Sequence, residues 1–289
     1  MDVKTRLERA LRSALALSTE AGCPPRLAEA MRYAVFPGGH RIRPRLALAV
    51  AWACGDDDPD AADAAAASIE LLHCASLVHD DMPCFDDAAT RRGRPSVHRA
   101  FGEPTALLVG DGLIVLAFEL LALQAAGKPR RLANLVRIVA GAVGAGGGIV
   151  GGQAWECEPF VPLGDYHRAK TGALFAGATM AGAAAAGAPA DAWRSFGNLI
   201  GEAYQVADDI ADFAATSEAI GKPVGRDAAL GRPSAALELG LAGALARLDT
   251  LVADAAAAIP PCPGRTSLEA LVVKECKSFV PAELALSAA

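Results

Sequence analysis

Two acidic clusters set in apolar sequence are the residues best suited to chemistry. The first is His79-Asp80-Asp81-Met82-Pro83-Cys84-Phe85-Asp86-Asp87 and the second is Asp208-Asp209-Ile210-Ala211-Asp212. Asp208 and Asp212 are i and i+4, so on a helix both carboxylates share one face. Between Asp80 and Asp86 stands Pro83, which disfavours helical geometry at Met82 and removes a backbone donor; a helix must bend or end there and bring the later carboxylates round. Leu71, Leu72, Leu77 and Val78 precede the first cluster, and Tyr204, Val206, Ala207, Ile210 and Phe213 surround the second. Half-buried like charges this close repel and shift one another's pKa, which a multivalent cation between them relieves. Hard oxygen ligands in this pattern suit Mg²⁺, which bridges protein carboxylates to substrate phosphates. A Ca²⁺ loop would need alternating acids around a central Gly, and neither is present. The pattern predicts two facing helices with metal between them. By contrast, Asp56-Asp57-Asp58-Pro59-Asp60 reads as a solvated helix start.

Cations accompany the acids. Gly38-Gly39-His40-Arg41-Ile42-Arg43-Pro44-Arg45 carries three arginines in a turn leading into a helix. Arg91-Arg92-Gly93-Arg94 follows the first cluster, Lys170-Thr171 opens a Gly/Ala-rich helix, and Gly221-Lys222-Pro223-Val224-Gly225-Arg226-Asp227 follows the second cluster. Guanidinium forks bind phosphate oxygens bidentately. Acids for metal beside separate Arg/Lys sets imply two phosphorylated groups, one held through Mg²⁺ and one held directly.

The elements that must position these groups read as helices. Apolar periodicity and Gly/Pro/Asp punctuation place helices at 3–17, 26–35, 44–53, 60–79, 104–126, 130–142, 171–188, 191–213, 233–258 and 266–279. No alternating β pattern of convincing length appears, and Ala, the best helix former, is abundant. With no linker or repeat, residues 1–289 read as a single all-α domain, a bundle of about ten helices around a deep apolar cavity. The chain has 53% hydrophobic and 21% charged residues, which excludes a disordered chain. Its net charge of −6 argues against nucleic acid as a partner. The uncharged stretches 138–155 and 171–190 reach spanning length, but they are Ala- and Gly-rich, so no membrane span is expected. Seven cysteines without CxxC spacing fit reduced thiols and a cytoplasmic location, with neither disulfide framework nor structural zinc.

The joint pattern resembles the trans-isoprenyl diphosphate synthases of the polyprenyl synthetase family. His73 to Asp87 with Arg91-Arg92-Gly93 is similar to that family's first aspartate-rich motif in its form with two extra residues. Gly201 to Asp212 is similar to the second, and Gly152-Gln153, Lys170-Thr171-Gly172 and Gly221-Lys222-Pro223 match further pieces. The resemblance implies the isoprenoid-synthase fold, a homodimer and a head-to-tail condensation of allylic diphosphates with isopentenyl diphosphate. It assigns Asp80, Asp86, Asp208 and Asp212 to Mg²⁺, three ions per active site. It assigns Arg91, Lys170 and Lys222 to the allylic diphosphate, and His40, Arg43, His73 and Arg92 to isopentenyl diphosphate. Thr171 and Gln205 would point oxygens at the developing allylic cation. His40 and Arg226 stand where the family has Lys, and Glu156 stands where it has Asp.

Product length should follow cavity depth. Ala75 lies five residues before Asp80, about 7.5 Å along a helix axis. In similar synthases an aromatic there blocks the growing tail, whereas Ala75 and Ser76 are small; the expected product is geranylgeranyl diphosphate (C20), as for carotenoid supply. The competing readings are a farnesyl (C15) synthase, a non-catalytic partner subunit and a terpene cyclase. The cyclase would leave the Arg41–Arg45 and Arg91–Arg92 sets without a second diphosphate.

Overall fold

A computed structural model describes residues 3–19, 22–36, 38–160, 163–214, 235–277 and 279. The α-helices are α1 (Val3–Thr19), α2 (Pro25–Val35), α3 (Ile42–Ala53), α4 (Pro59–Asp80), α5 (Val97–Phe101), α6 (Glu103–Gln124), α7 (Pro129–Val143), α8 (Ile149–Ala154), α9 (Leu163–His167), α10 (Ala173–Ala185), α11 (Arg194–Ala214), α12 (Ala235–Ala257) and α13 (Arg265–Lys277). All ten predicted helices are present. The sequence reading missed α5, α8 and α9, which at five or six residues are too short to show a period.

Helix α4 runs through the centre and packs against α3, α6 and α10; α10 in turn packs against α3, α7 and α11. Small residues make this crowding possible. Ala61, Ala62, Ala64, Ala65, Ala66 and Ala67 of α4 are all buried, and α10 is buried from Leu174 to Ala185. Phe175, Trp193, Phe196, Ile69 and Leu71 fill the core between them. Each such burial is worth roughly 1.5–3 kcal/mol.

The ends of α4 follow its sequence. Asp58 caps the start, accepting from the Ala61 N–H at 3.3 Å, and Pro59 sits in the first turn where its missing N–H costs nothing. The run 56–60 is thus a helix start, as its composition predicts. At the far end the helix stops at Asp80, ahead of Pro83. The chain then turns back, so that Asp86 N–H donates to the Asp80 carbonyl at 3.0 Å and Ala88 N–H to the Asp81 carbonyl at 3.1 Å.

Two features depart from the all-helical reading. A minimal antiparallel hairpin joins β1 (Thr90–Arg91) to β2 (Arg94–Pro95). Arg92 and Gly93 between them both have positive φ (53° and 71°), which a tight two-residue hairpin turn requires. Tyr33 of α2 holds this hairpin, donating to the Pro95 carbonyl at 2.8 Å under the Arg94 guanidinium. Ahead of α10, residues Arg168–Gly172 form a π-helical turn, so this helix opens with one over-wide turn.

The stretches 138–155 and 171–190 are each broken by turns. Among the described residues, the helices long and apolar enough to cross a membrane are instead α4 and α6. The apolar window of α4 is 78% buried inside the bundle. Helix α6 buries one face on α4 and presents Leu107, Leu108, Val115 and Leu123 outward.

Candidate active site

The π turn is the hub of the site. Its consecutive residues Lys170 and Thr171 reach in different directions. Lys170 Nζ lies 3.3 Å from Asp80 Oδ1 at the end of α4, and Thr171 Oγ1 donates to Gln205 Oε1 on α11 at 3.1 Å. Gln205 Nε2 then donates to Asp209 Oδ1 at 3.0 Å. The two acidic clusters are therefore joined, side chain by side chain, across one widened turn. Two glycines permit it. A Cβ on Gly152 of α8 would lie 2.5 Å from Lys170 N, and one on Gly201 of α11 would lie 2.9 Å from the Gly172 Cα.

Every acid of the first cluster that faces this hub has a cation beside it. Arg91 forks onto Asp81, with Nε at 2.9 and 3.2 Å from its two oxygens, and places Nη2 3.8 Å from Asp80 Oδ2. Asp81 itself is buried. Burial would lower the Arg91 pKa, but Asp81, Asp80 and Asp86 outweigh it and raise it. Lys170 behaves alike: burial works against its charge, and Asp80, Tyr166 and Glu156 together raise its pKa. Glu156 accepts from Lys170 at 2.6 Å, from Gln153 at 2.8 Å and from the Tyr166 hydroxyl at 2.5 Å.

Among the described residues no three acidic, imidazole or thiol side chains converge on one point. Mg²⁺ takes one or two carboxylates and fills the rest of its octahedron with phosphate oxygens and water. Asp80 and Asp86 are brought together by the turn after α4, and they offer the hard oxygens this needs.

A second pole carries two arginines, Arg43 and Arg92, without a direct carboxylate partner among the described residues. His73, one helical face below Asp80, is surrounded by Arg43, Arg92, Arg91 and Arg41; burial first and then these charges hold its pKa well below the ordinary value. Among the described residues neither Arg43 nor Arg92 has a carboxylate ion partner, and Arg43 Nε is buried with no hydrogen-bond partner at all. A half-buried guanidinium without an ion partner, next to a neutral imidazole, is a site prepared for an anion.

A polyprenyl synthetase family model matches residues 24–257. The chain belongs to the polyprenyl synthetase family. A geranylgeranyl diphosphate synthase of Cereibacter sphaeroides is 51% identical over 285 residues, covering 99% of each chain. One of Rhodobacter capsulatus is 50% identical over 272 residues, covering 94% of each. The crystal structure of a Helicobacter pylori geranyltransferase complexed with magnesium and isoprenyl diphosphate superposes with a TM-score of 0.76 at 28% identity, covering 96% of this chain and 98% of that one.

Of the residues that the resemblance to polyprenyl synthetases singles out, the structure brings Asp80, Asp86, Arg91, Lys170, Thr171 and Gln205 to the hub and Arg43, His73 and Arg92 to the cation pole. His40 is exposed beside that pole. Asp208 is close enough to Arg43 to act on its charge. Asp212 continues α11, but its side chain lies outside the described residues, as do Lys222 and Arg226 altogether. Ser76 sits on the half-buried Asp80 face. Ala75 is 1% exposed, one turn before His79, whose ring fills the space over Gly110 of α6.

The run 41–45 needs correcting as a set of three phosphate arginines. Arg41 takes left-handed backbone (φ 52°) at the start of α3 and turns inward to Glu70, Glu8 and the Val35 carbonyl. Arg45 pairs with Glu275 of α13 at 2.6 Å. Only Arg43 of the three reaches the cation pole. Sequence reasoning also missed Asp81 as the anchor of Arg91, and Tyr166 as a ligand of Glu156. The i, i+4 spacing of Tyr166 and Lys170 was the available signal for the latter.

One recess of about 740 Å³ lies beyond the π turn, between α7, α8, α10 and α11. No α4 residue lines it, so it is distinct from the surface carrying Ala75 and Ser76.

Proposed function

We propose that this chain condenses an allylic diphosphate head-to-tail with isopentenyl diphosphate to make geranylgeranyl diphosphate (C20). The observation that carries this reading is the pair of charge poles: an acid–cation pole at the π turn, and a second pole where Arg43 and Arg92 have no carboxylate ion partner among the described residues. Two diphosphates with different modes of binding need such a pair. The 50–51% identity to bacterial geranylgeranyl diphosphate synthases supports the product.

In this reading Asp80 and Asp86 from one side and Asp208 and Asp212 from the other hold Mg²⁺ with the allylic diphosphate. Held by these carboxylates, Mg²⁺ would supply neutralisation of the charge on the leaving diphosphate. Lys170, Arg91 and Lys222 contact the same diphosphate, Lys170 and Arg91 exchanging their present carboxylates for phosphate oxygens. Arg43, His73, Arg92 and His40 take isopentenyl diphosphate directly. The Thr171 proton is committed to Gln205, so its oxygen presents lone pairs to the developing allylic cation. The isopentenyl double bond attacks C1 of that cation, and the proton then lost goes to the departed diphosphate. The surrounding apolar helices keep water from the cation.

Ala75 and Ser76 are small, so they put no aromatic ring in the path of a C20 tail along α4. Residues 1–289 form one polyprenyl synthetase domain. The outward Leu107, Leu108, Val115 and Leu123 of α6 suit burial against a second copy in a homodimer. The seven free cysteines fit a cytoplasmic enzyme.

The test is incubation of the purified chain with Mg²⁺, isopentenyl diphosphate and dimethylallyl or farnesyl diphosphate, with chain length read by mass. A C20 product is expected; no condensation overturns the reading, and a C15 end product overturns the chain-length part alone.

A further inference from the structure

We infer that Phe175 and Tyr204 are positioning residues for Arg43, their rings packing against the guanidinium in place of a hydrogen-bonding acid so that its N–H donors stay free for the diphosphate of isopentenyl diphosphate. The inference rests on the function proposed above and goes one step behind the residues that touch substrate.

Arg43 poses a physical problem. Its side chain is half-buried with Nε out of contact with solvent, yet among the described residues it has no carboxylate partner, and that Nε has no hydrogen-bond partner. Two neighbouring arginines, the buried Arg41 and the half-buried Arg91, meet acids instead: Arg41 pairs with Glu70 and Arg91 with Asp81. Such a pairing neutralises the cation and occupies its fork. A phosphate-binding arginine held that way must first break the pair.

Around Arg43 the acid is replaced by rings. Its Cζ lies over the Phe175 ring at 4.4 Å from the centroid and over the Tyr204 ring at 5.4 Å. The two rings are 5.3 Å apart and inclined at 42°, so they form two walls of one cradle. Phe279, just beyond α13, closes the stack with its ring edge-on to Tyr204 at 5.4 Å. An aromatic face attracts a cation through its quadrupole without accepting the N–H bonds, which lie in the guanidinium plane. The cradle therefore offsets part of the cost of burying the charge and leaves the donors available. Burial and the neighbouring Arg92 still leave the Arg43 pKa lowered, which an arriving dianion would relieve.

The cradle belongs to three elements: Phe175 to α10, Tyr204 to α11 and Phe279 to the C-terminal side of α13. Tyr204 directly precedes Gln205 of the hub, so the same turn of α11 serves both poles.

The test compares steady-state constants for both substrates in wild type and variants. Tyr204→Leu is expected to raise KM for isopentenyl diphosphate about tenfold, about 1.4 kcal/mol. Its kcat and allylic KM should stay within about twofold. Tyr204→Phe keeps the ring and should restore the wild-type KM. Phe279→Ala should shift the isopentenyl KM in the same direction but less. Phe175 is fully buried, so Phe175→Leu enters only if circular dichroism shows it folded; Tyr204→Leu, half-buried, carries the test otherwise. Calorimetric titration of inorganic pyrophosphate into Tyr204→Leu without metal gives a second readout and should show the same tenfold weakening. An unchanged isopentenyl KM in folded Tyr204→Leu, or an equal rise in both KM values, overturns the inference. A wild-type chain that consumes no isopentenyl diphosphate overturns the functional reading instead, before any variant is compared.

Discussion

The two charge poles share a wall yet solve opposite problems. At the π turn, Asp80, Asp81 and Glu156 are matched by Arg91 and Lys170, so the pole is already compensated and a ligand enters by exchanging partners. Around His73 stand four arginines; Arg41 and Arg91 hold acids of their own, while Arg43, cradled by rings, and Arg92 have no carboxylate ion partner among the described residues, so their compensation comes from outside. On the proposed function, this difference is what lets the chain tell two diphosphates apart. A ligand that brings Mg²⁺ satisfies the acids it displaces from their cations, whereas a bare diphosphate finds its counter-charges at the second pole.

The largest expected effect comes from removing a shared acid. Asp80→Ala should lower kcat about a thousandfold, the upper range for loss of one electrostatic stabiliser. Its affinity for isopentenyl diphosphate alone should stay near wild type. A product assay with a parallel binding measurement checks this, and a large loss of isopentenyl affinity would merge the two poles into one.

Next comes the buried pair that serves neither ligand. Glu70→Ala leaves the Arg41 charge buried against Glu8 alone and should cost about 3–5 kcal/mol in urea unfolding. A loss near zero would mean that Arg41 is no better compensated than Arg43. Third, Ser76→Phe places a ring on the Asp80 face of α4 and should shorten the product to C15. Ala75→Phe should do so too, though it must displace the packing beside His79 and α6. If C20 persists in both variants, the tail does not run along this face.

The smallest effect is a slope with pH. The unfolded chain protonates His73 near its ordinary pKa of about 6.5, whereas the folded chain resists until well below it. The unfolded state therefore binds the extra proton first, and stability should fall as pH drops below about 6.5, by at most about 1.4 kcal/mol per pH unit. Urea midpoints at pH 7 and pH 5.5 should show the slope. His73→Gln should flatten it, and saturating pyrophosphate should weaken it by neutralising the surrounding arginines. An unchanged slope in His73→Gln would place the titrating group elsewhere.

Much of this was legible in the residues. The acids and Pro83 predict the end of α4 and the return of Asp86, because both follow from local backbone chemistry. The i, i+4 spacing of Asp208 and Asp212 predicts their helix. What the sequence withheld was partnership. Arg41 meets Glu70 29 residues away and Arg45 meets Glu275 230 residues away, separations that leave no periodic trace. Three arginines that look alike in a row thus have three fates. The Arg92-Gly93 turn escaped notice because its flanking strands are two residues long. The π turn escaped because widening a helix by one residue changes no residue type. The aromatic cradle is invisible for the same reason as the ion pairs: Phe175 and Tyr204 each read as ordinary core residues of their own helices.

The most direct test of the two-pole account is a binding experiment without turnover. Isopentenyl diphosphate and an unreactive thio-linked analogue of an allylic diphosphate are each titrated into the wild-type chain by calorimetry, with and without Mg²⁺. The account predicts that Mg²⁺ tightens the allylic analogue at least about tenfold, about 1.4 kcal/mol, and changes isopentenyl diphosphate by less than about twofold. Equal dependence of both ligands on Mg²⁺ would contradict it.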